Sequence, residues 1–137
     1  MNMKYALAVV ATLVAGPVLA AGDPAVGEKE FSKCKSCHSI VAADGTAIVK
    51  GGKVGPNLYG VVGRPLAGLE GFKYSKSLVE AGEKGLVWSE EEIATYLKDP
   101  TAYLKNATGN SKAKSGMAFK LAKKSEDVAA YLASVAN

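Results

Sequence analysis

Short stripes of apolar residues at helical spacing recur along the chain, separated by long stretches that keep no period. In "GDPAVGEKEFSKC", Asp23 is placed as an N-cap and Pro24 at the first helical position, and Gly27 and Phe31, four apart, share a face. "KYSKSLVEAG" predicts one short helix ending at Gly82. In "WSEEEIATYLKDP", Ser89 and Glu92 have the spacing of a capping box, and Ile93, Tyr96 and Leu97 form a stripe. That helix must stop before Pro100, and Asp99-Pro100 then caps another short one, "TAYLK". A last helix starts at Ser125. Glu126 and Asp127 suit the positive end of its dipole, and Val128, Tyr131, Leu132 and Val135 give its buried stripe.

Between these elements the pattern fails. From Ser39 to Arg64 the chain is rich in glycine and aperiodic, and no run alternates convincingly with period two. So long an irregular segment is uncommon in a compact domain unless something else organises it. There is no internal repeat and no sign of a second domain. The expectation is an all-α fold of four or five helices joined by long loops, with too few large apolar side chains to fill its own core. "NAT" at 106–108 matches a glycosylation sequon and is read as a chance match.

The first twenty residues change the picture of where the chain works. Lys4, an apolar run from Ala6 to Val14, and small residues up to Ala20 have the layout of a secretory signal peptide. Cleavage is expected after Ala20 or Ala21, leaving 21–137 as the domain. The apolar run is shorter than the ~20 residues a transmembrane helix needs. Loss of Lys4 lowers the formal charge from +4 to +3, too mild for nucleic-acid binding. Export implies an oxidising compartment, in which a thiol pair does not stay free by default.

The chain's two cysteines and its one histidine all fall in "KCKSCHSI", as Cys34, Cys37 and His38. A disulfide between Cys34 and Cys37 would close a tiny loop and leave His38 unexplained. Thiol exchange belongs beside a βαβ pattern, which is missing, and a closed zinc site needs four ligands where these residues supply three. C-x-x-C-H is also the attachment signature of c-type haem. The two thiols add across the vinyl groups of one porphyrin edge, and the adjacent imidazole goes to iron. That group would fill the undersized core. With His38 used, the soft candidate for the sixth position is Met117, the one methionine outside the leader. It follows Gly116 in a polar stretch where the backbone can come close, and it is off any helical stripe. A His/Met pair raises the reduction potential and suits electron transfer, whereas an open sixth position suits gas binding or peroxide chemistry.

These landmarks come in a familiar order. "GEKEFSKCKSCHSI", "GPNLYGVVGR", "GFKY", Trp88 before a capped helix, "YLKDPTAYL", "GMAFK" and "VAAYLASV" resemble the class I cytochromes c over the whole domain, and among them the cytochrome c2 type of purple photosynthetic bacteria. The resemblance implies the class I cytochrome c fold wrapped around one covalent haem c. It also implies roles. Cys34 and Cys37 would be the thioether positions, with His38 and Met117 the axial ligands. Pro56 would hold the His38 ring N–H, and Arg64, Tyr74 and Trp88 would bind haem propionates. Tyr96 would lie near the methionine sulfur, and Gly27, Phe31 and Tyr131 would form the crossing of first and last helices. The segment between His38 and Gly55 and the stretch "NATGNSKAKSG" are longer than in the short mitochondrial form, as in long bacterial members.

Such a protein is an electron carrier and not an enzyme. It would be a periplasmic monomer that takes electrons from a cytochrome bc complex and passes them to a photosynthetic reaction centre or a terminal oxidase. Lys33 and Lys35 flank the attachment motif, and Lys112, Lys114, Lys120, Lys123 and Lys124 bracket Met117. If both stretches meet at the haem edge, they form a positive ring that steers docking to acidic partners. A c-type haem protein with a vacant sixth site is the alternative. The C-x-x-C-H position near the start of the domain argues against a cytochrome c′-type bundle, which carries it near the C-terminus.

Overall fold

The computed structural model describes residues 22–136; the expected leader and its cleavage site lie outside the described residues. Among the described residues five α-helices carry the fold: α1 (Pro24–Glu30), α2 (Lys76–Glu83), α3 (Glu90–Lys98), α4 (Pro100–Thr108) and α5 (Ser125–Ser134). One 3₁₀ turn, Phe31–Lys33, extends α1 toward Cys34. No helix among the described residues is long and apolar enough to cross a membrane.

The helices begin where side chains can satisfy their free N–H groups. Asp23 accepts from Ala25 N at 2.8 Å, Ser89 Oγ from Glu92 N at 3.1 Å, and Asp99 from Ala102 N at 3.0 Å. The capping box at α3 is only half realised. Glu92 turns its carboxylate to the hydroxyl of Tyr103 on α4 and so ties the two helices together. α5 starts at Ser125 without a side-chain cap and is entered through Lys124 at φ 62°. Its first turn serves α1 instead: Asp127 accepts from Asp23 N at 2.7 Å. The sequon lies within the last turn of α4, where Thr108 is buried and donates its hydroxyl to Leu104 O at 2.6 Å.

One feature of the structure was not expected. Strands β1 (Ile40–Val41) and β2 (Ala47–Val49) pair antiparallel inside the segment read as irregular. Strands this short hold too few positions to show alternation. The turn between them had a local signal, Asp44-Gly45: Asp44 accepts from Thr46 N at 2.9 Å and Gly45 takes φ +87°. The end of the long segment is held from outside. Gly63 N donates to Trp88 O at 2.6 Å, Trp88 N to Arg64 O at 2.9 Å, and Leu66 N to Leu86 O at 3.0 Å.

α1 crosses α5, and α5 in turn packs on α3. The crossing is close because Gly27 has no side chain. A Cβ there would lie 1.9 Å from Asp127 O and 2.8 Å from Tyr131 Cβ. Beside it the rings of Phe31 and Tyr131 meet with centroids 5.7 Å apart. Replacing Gly27 by alanine improves helix propensity by roughly 1 kcal/mol, but overpacking typically costs 1–3 kcal/mol, and here the obstruction is backbone. Gly27→Ala is therefore expected to destabilise the protein by about 2 kcal/mol, read as a lower denaturant midpoint at unchanged m-value.

Candidate functional site

The cluster that stands out in the sequence becomes one turn of backbone in the structure. Cys37 N and His38 N both donate to Cys34 O, at 3.2 and 2.9 Å, which brings Cys34, Cys37 and His38 together. Neither cysteine is in a disulfide; Cys34 is buried and Cys37 exposed. Burial pushes the Cys34 thiol up to about 11, so at neutral pH it is a thiol and not a thiolate. The following loop lies against this turn: Gly52 N donates to Lys35 O and Gly55 N to Cys37 O, each at 2.8 Å.

His38 is fixed by its neighbours. Its Nδ1 stands 2.8 Å from Pro56 O, which can only accept, so Nδ1 carries the hydrogen and Nε2 of the neutral ring keeps its lone pair. Burial holds the imidazole below its ordinary range, although the Pro56 bond works the other way, and the ring is neutral at pH 7. A Cβ on Gly55 would sit 2.2 Å from Cε1 of this ring, so only glycine leaves room for it.

A cavity of about 780 Å³ opens beside these residues, within the range of roughly 300–1,000 Å³ typical of pockets that bury a small-molecule ligand or cofactor. Cys34, Cys37, His38, Pro56, Arg64, Tyr74, Trp88, Tyr96 and Met117 all line it, and Phe31, Leu58, Val61, Leu78, Ile93, Leu97 and Leu132 supply apolar wall. This is the space that the side chains do not fill. Arg64 is held at the cavity by two carbonyls, donating to Asn57 O at 3.1 Å and Tyr59 O at 2.6 Å. Tyr74 accepts from Leu69 N at 3.2 Å. Trp88 is 8% exposed and makes an aromatic cluster with Tyr96 and Tyr103, at centroid distances of 5.1 and 5.7 Å. The phenols of Tyr96 and Tyr103 are both pushed upward by burial, Tyr103 further by the Glu92 carboxylate.

Tyr96 reaches the methionine residue through an intermediary. Its hydroxyl is hydrogen-bonded to Ser115 Oγ at 3.0 Å, and that same oxygen accepts from Met117 N at 3.0 Å. Ser115 is one of several positions that sequence reading missed. Another is Asn57, which accepts from Val41 N and donates to Val41 O, so that the residue after Pro56 is pinned to β1. At Gly116 a Cβ would meet Ser75 Cβ at an ordinary 3.7 Å, so packing among the protein's own described atoms does not demand glycine.

The lysines divide. Lys33 lines the cavity and pairs with Glu30 at 2.6 Å, and Lys120 pairs with Asp99 at 2.7 Å. Among the described residues no ion pair holds Lys35, Lys112, Lys114 or Lys123, all of them exposed. Lys73, which sequence reading passed over, also lines the cavity and is exposed. Around the same opening Val54 is 79% exposed and Phe119 42%. Among the described residues no three His, Cys, Asp or Glu side chains gather as a site for a bare metal ion.

Known proteins resemble this chain over most of its length. No family model matches the chain. Cytochrome c2 of Rhodobacter capsulatus is 61% identical over 135 residues, covering 98% of each chain. Cytochrome c-550 of Paracoccus versutus is 53% identical over 131 residues, 94% of this chain and 85% of the relative. The structure of the Rhodobacter capsulatus cytochrome c2 superposes with a TM-score of 0.83 at 65% identity, over 85% of this chain and all of that one. That of ferric cytochrome c-550 from Paracoccus versutus gives 0.82 at 55% identity, over 85% and 99%. The chain belongs to the class I cytochrome c family and carries one covalent haem c.

Because the Gly55 backbone presses on the His38 ring, Gly55→Ala is expected to displace the imidazole or the loop behind it. The yield of haem-loaded protein should fall, and the part that folds should lose about 1–3 kcal/mol of stability. The ratio of haem to protein absorbance and a denaturant titration check both.

Proposed function

We propose that the chain is a one-electron carrier, its haem attached at Cys34 and Cys37 and ligated by His38 and Met117. We further propose that it works in the periplasm between a cytochrome bc complex and a photosynthetic reaction centre or terminal oxidase. The observation that carries this reading is the convergence on one apolar cavity of two thiols, a neutral imidazole of fixed tautomer and a single thioether. The residues fit the group chemically. Two thiols outside any disulfide suit addition to vinyl groups, and Nε2 of His38 has its lone pair available for iron.

A haem c bound there supplies a one-electron iron couple. The protein sets its potential and its exposure. Met117 offers an uncharged, soft sulfur, which favours the reduced state relative to a harder ligand. The Pro56 carbonyl orients the His38 ring and raises its basicity as a ligand. Arg64, with its guanidinium fixed by Asn57 and Tyr59, brings positive charge and further N–H donors for carboxylates of the cofactor, alongside Tyr74 and Trp88. The Tyr96 hydroxyl, engaged with Ser115, holds the segment that presents the sulfur. With haem bound, the apolar walls would shield the iron, so that a change of charge there would be met more by fixed dipoles and less by reorganising solvent.

The rest of the carrier's task is encounter. Lys33, Lys35, Lys73, Lys112, Lys114, Lys120 and Lys123 supply positive charge from the attachment turn, the cavity opening and the methionine segment. Electrostatic steering of this kind acts on association rate more than on affinity. The exposed Val54 and Phe119 give a small apolar contact at the same opening.

Two outcomes test this reading. Met117→Ala should keep the covalent haem but lower the potential and let carbon monoxide bind the reduced protein; rapid carbon monoxide binding by the wild type would favour a vacant sixth site and an enzymatic or sensing role. Reversal of one cavity-lining charge, Lys73→Glu, should slow electron transfer to an acidic partner several-fold at low salt, with the effect shrinking as the Debye length falls to ~8 Å at physiological ionic strength. Lys105→Glu on α4 should slow it less. Stopped-flow rates over a salt series read both.

A further inference from the structure

The segment that presents Met117 is fastened on both flanks to one corner of the fold, the junction of α3 and α4. Upstream of the methionine, Ser115 N donates to Thr101 Oγ1 at 3.2 Å. Downstream, the Lys120 ammonium meets Asp99 Oδ2 at 2.7 Å and Leu121 N donates to Leu97 O at 2.7 Å. Residues 97–101 therefore receive both ends of the loop. Between the anchors Gly116, Ala118 and Phe119 are exposed, and none of this stretch is helical. Asp99 divides its carboxylate between two tasks. Oδ1 caps α4 at Ala102, while Oδ2 holds Lys120.

We propose that Asp99 and Thr101 are positioning residues that together set how often Met117 leaves the sixth coordination position. The proposal rests on the His38/Met117 ligation reading. A loop of this kind opens locally, at far lower free energy than global unfolding, so single hydrogen bonds are a large share of what keeps it closed. An external ligand can reach iron only from the open state, and its binding rate therefore reports the open population. The ion pair is exposed and weak by itself. It matters here because it acts with the Thr101 bond on the same short loop, where the two cannot open independently.

The variants that isolate the clasp are conservative. Asp99→Asn keeps an oxygen to cap α4 and removes the charge facing Lys120. Thr101→Val keeps the shape and removes the acceptor for Ser115 N. Holoprotein of each variant, oxidised, is mixed with imidazole, and the shift of the haem absorption is followed in time. The double variant is expected to bind imidazole about tenfold faster than wild type, and each single variant a few-fold faster. Amide hydrogen exchange over residues 113–121 should quicken in step. Thr101→Ser, which restores the hydroxyl, should behave as wild type. So should Lys98→Gln, which breaks the pair between the end of α3 and Glu126 on α5 but touches nothing in the loop.

The proposal is overturned if the double variant matches Lys98→Gln to within about twofold in imidazole rate and loop exchange, since that is the scatter of uncoupled surface substitutions. Failure of the underlying reading has a different signature. If wild type binds imidazole as fast as Met117→Ala, the methionine does not guard the iron, and amide exchange alone then decides whether Asp99 and Thr101 clasp the loop.

Discussion

The carbonyl oxygen of Pro56 can only accept a hydrogen bond, and it stands 2.8 Å from Nδ1 of His38. With that one proton assigned, the imidazole has a single nitrogen left with a lone pair, and burial keeps the ring neutral. Much of the neighbouring structure serves to hold the carbonyl in place. Gly55 lets the backbone approach the ring, and Asn57 binds both polar groups of Val41 on β1. The Asn57 carbonyl then accepts from Arg64, whose own carbonyl accepts from Trp88 N. A chain of hydrogen bonds thus runs from the imidazole through the irregular segment to the wall of the cavity. The segment has no helical period because its order comes from these links, and each requires a particular backbone angle.

The parts of the fold legible in the sequence are those decided locally. N-caps act over two or three residues, so Asp23, Ser89 and Asp99 could be read from spacing. Glu92 shows where that reading stops. Its spacing from Ser89 fits a capping box, yet Tyr103 from the next helix offers the carboxylate a buried hydroxyl and takes it. The hairpin escaped because period two cannot be seen in strands of two and three residues, although Asp44-Gly45 marked its turn. Gly27 and Phe31 were legible as one helical face, but not the 1.9 Å approach of Asp127 O that makes a side chain at 27 costly.

At the site the same division holds. Cys34, Cys37 and His38 are neighbours in sequence and share one turn, and Met117 could be singled out because no other residue of its chemistry remains in the domain. The residues that position them are different in kind. Ser115 takes its place from Thr101, 14 residues away, and Lys114 N is held by Ser77 Oγ, 37 away. Nothing in a serine or threonine marks it for such a task, because any polar residue of a loop carries the same local signal. The chemistry was readable; of the scaffold that aims it, Pro56 and Tyr96 could be named only through the family resemblance, and Ser115, Thr101 and Ser77 could not be named at all.

The lysines make the distinction between structure and function physical. Glu30 sits between Lys33, beside the attachment turn, and Lys124, at the entry to α5, so part of the positive charge ties the N-terminal and C-terminal ends together. Lys120 is likewise committed to Asp99. A paired lysine contributes less field at a distance than a free one, because its partner's charge cancels it beyond a few ångströms. The charge available to steer a partner therefore comes more from Lys35, Lys73, Lys112, Lys114 and Lys123 than a count of lysines suggests. For a carrier that must leave as readily as it arrives, this is a favourable division. Charge that no ion pair among the described residues cancels would speed encounter, Val54 and Phe119 would add only a small apolar contact, and interfaces of weak electron-transfer partners lie at the low end of buried area.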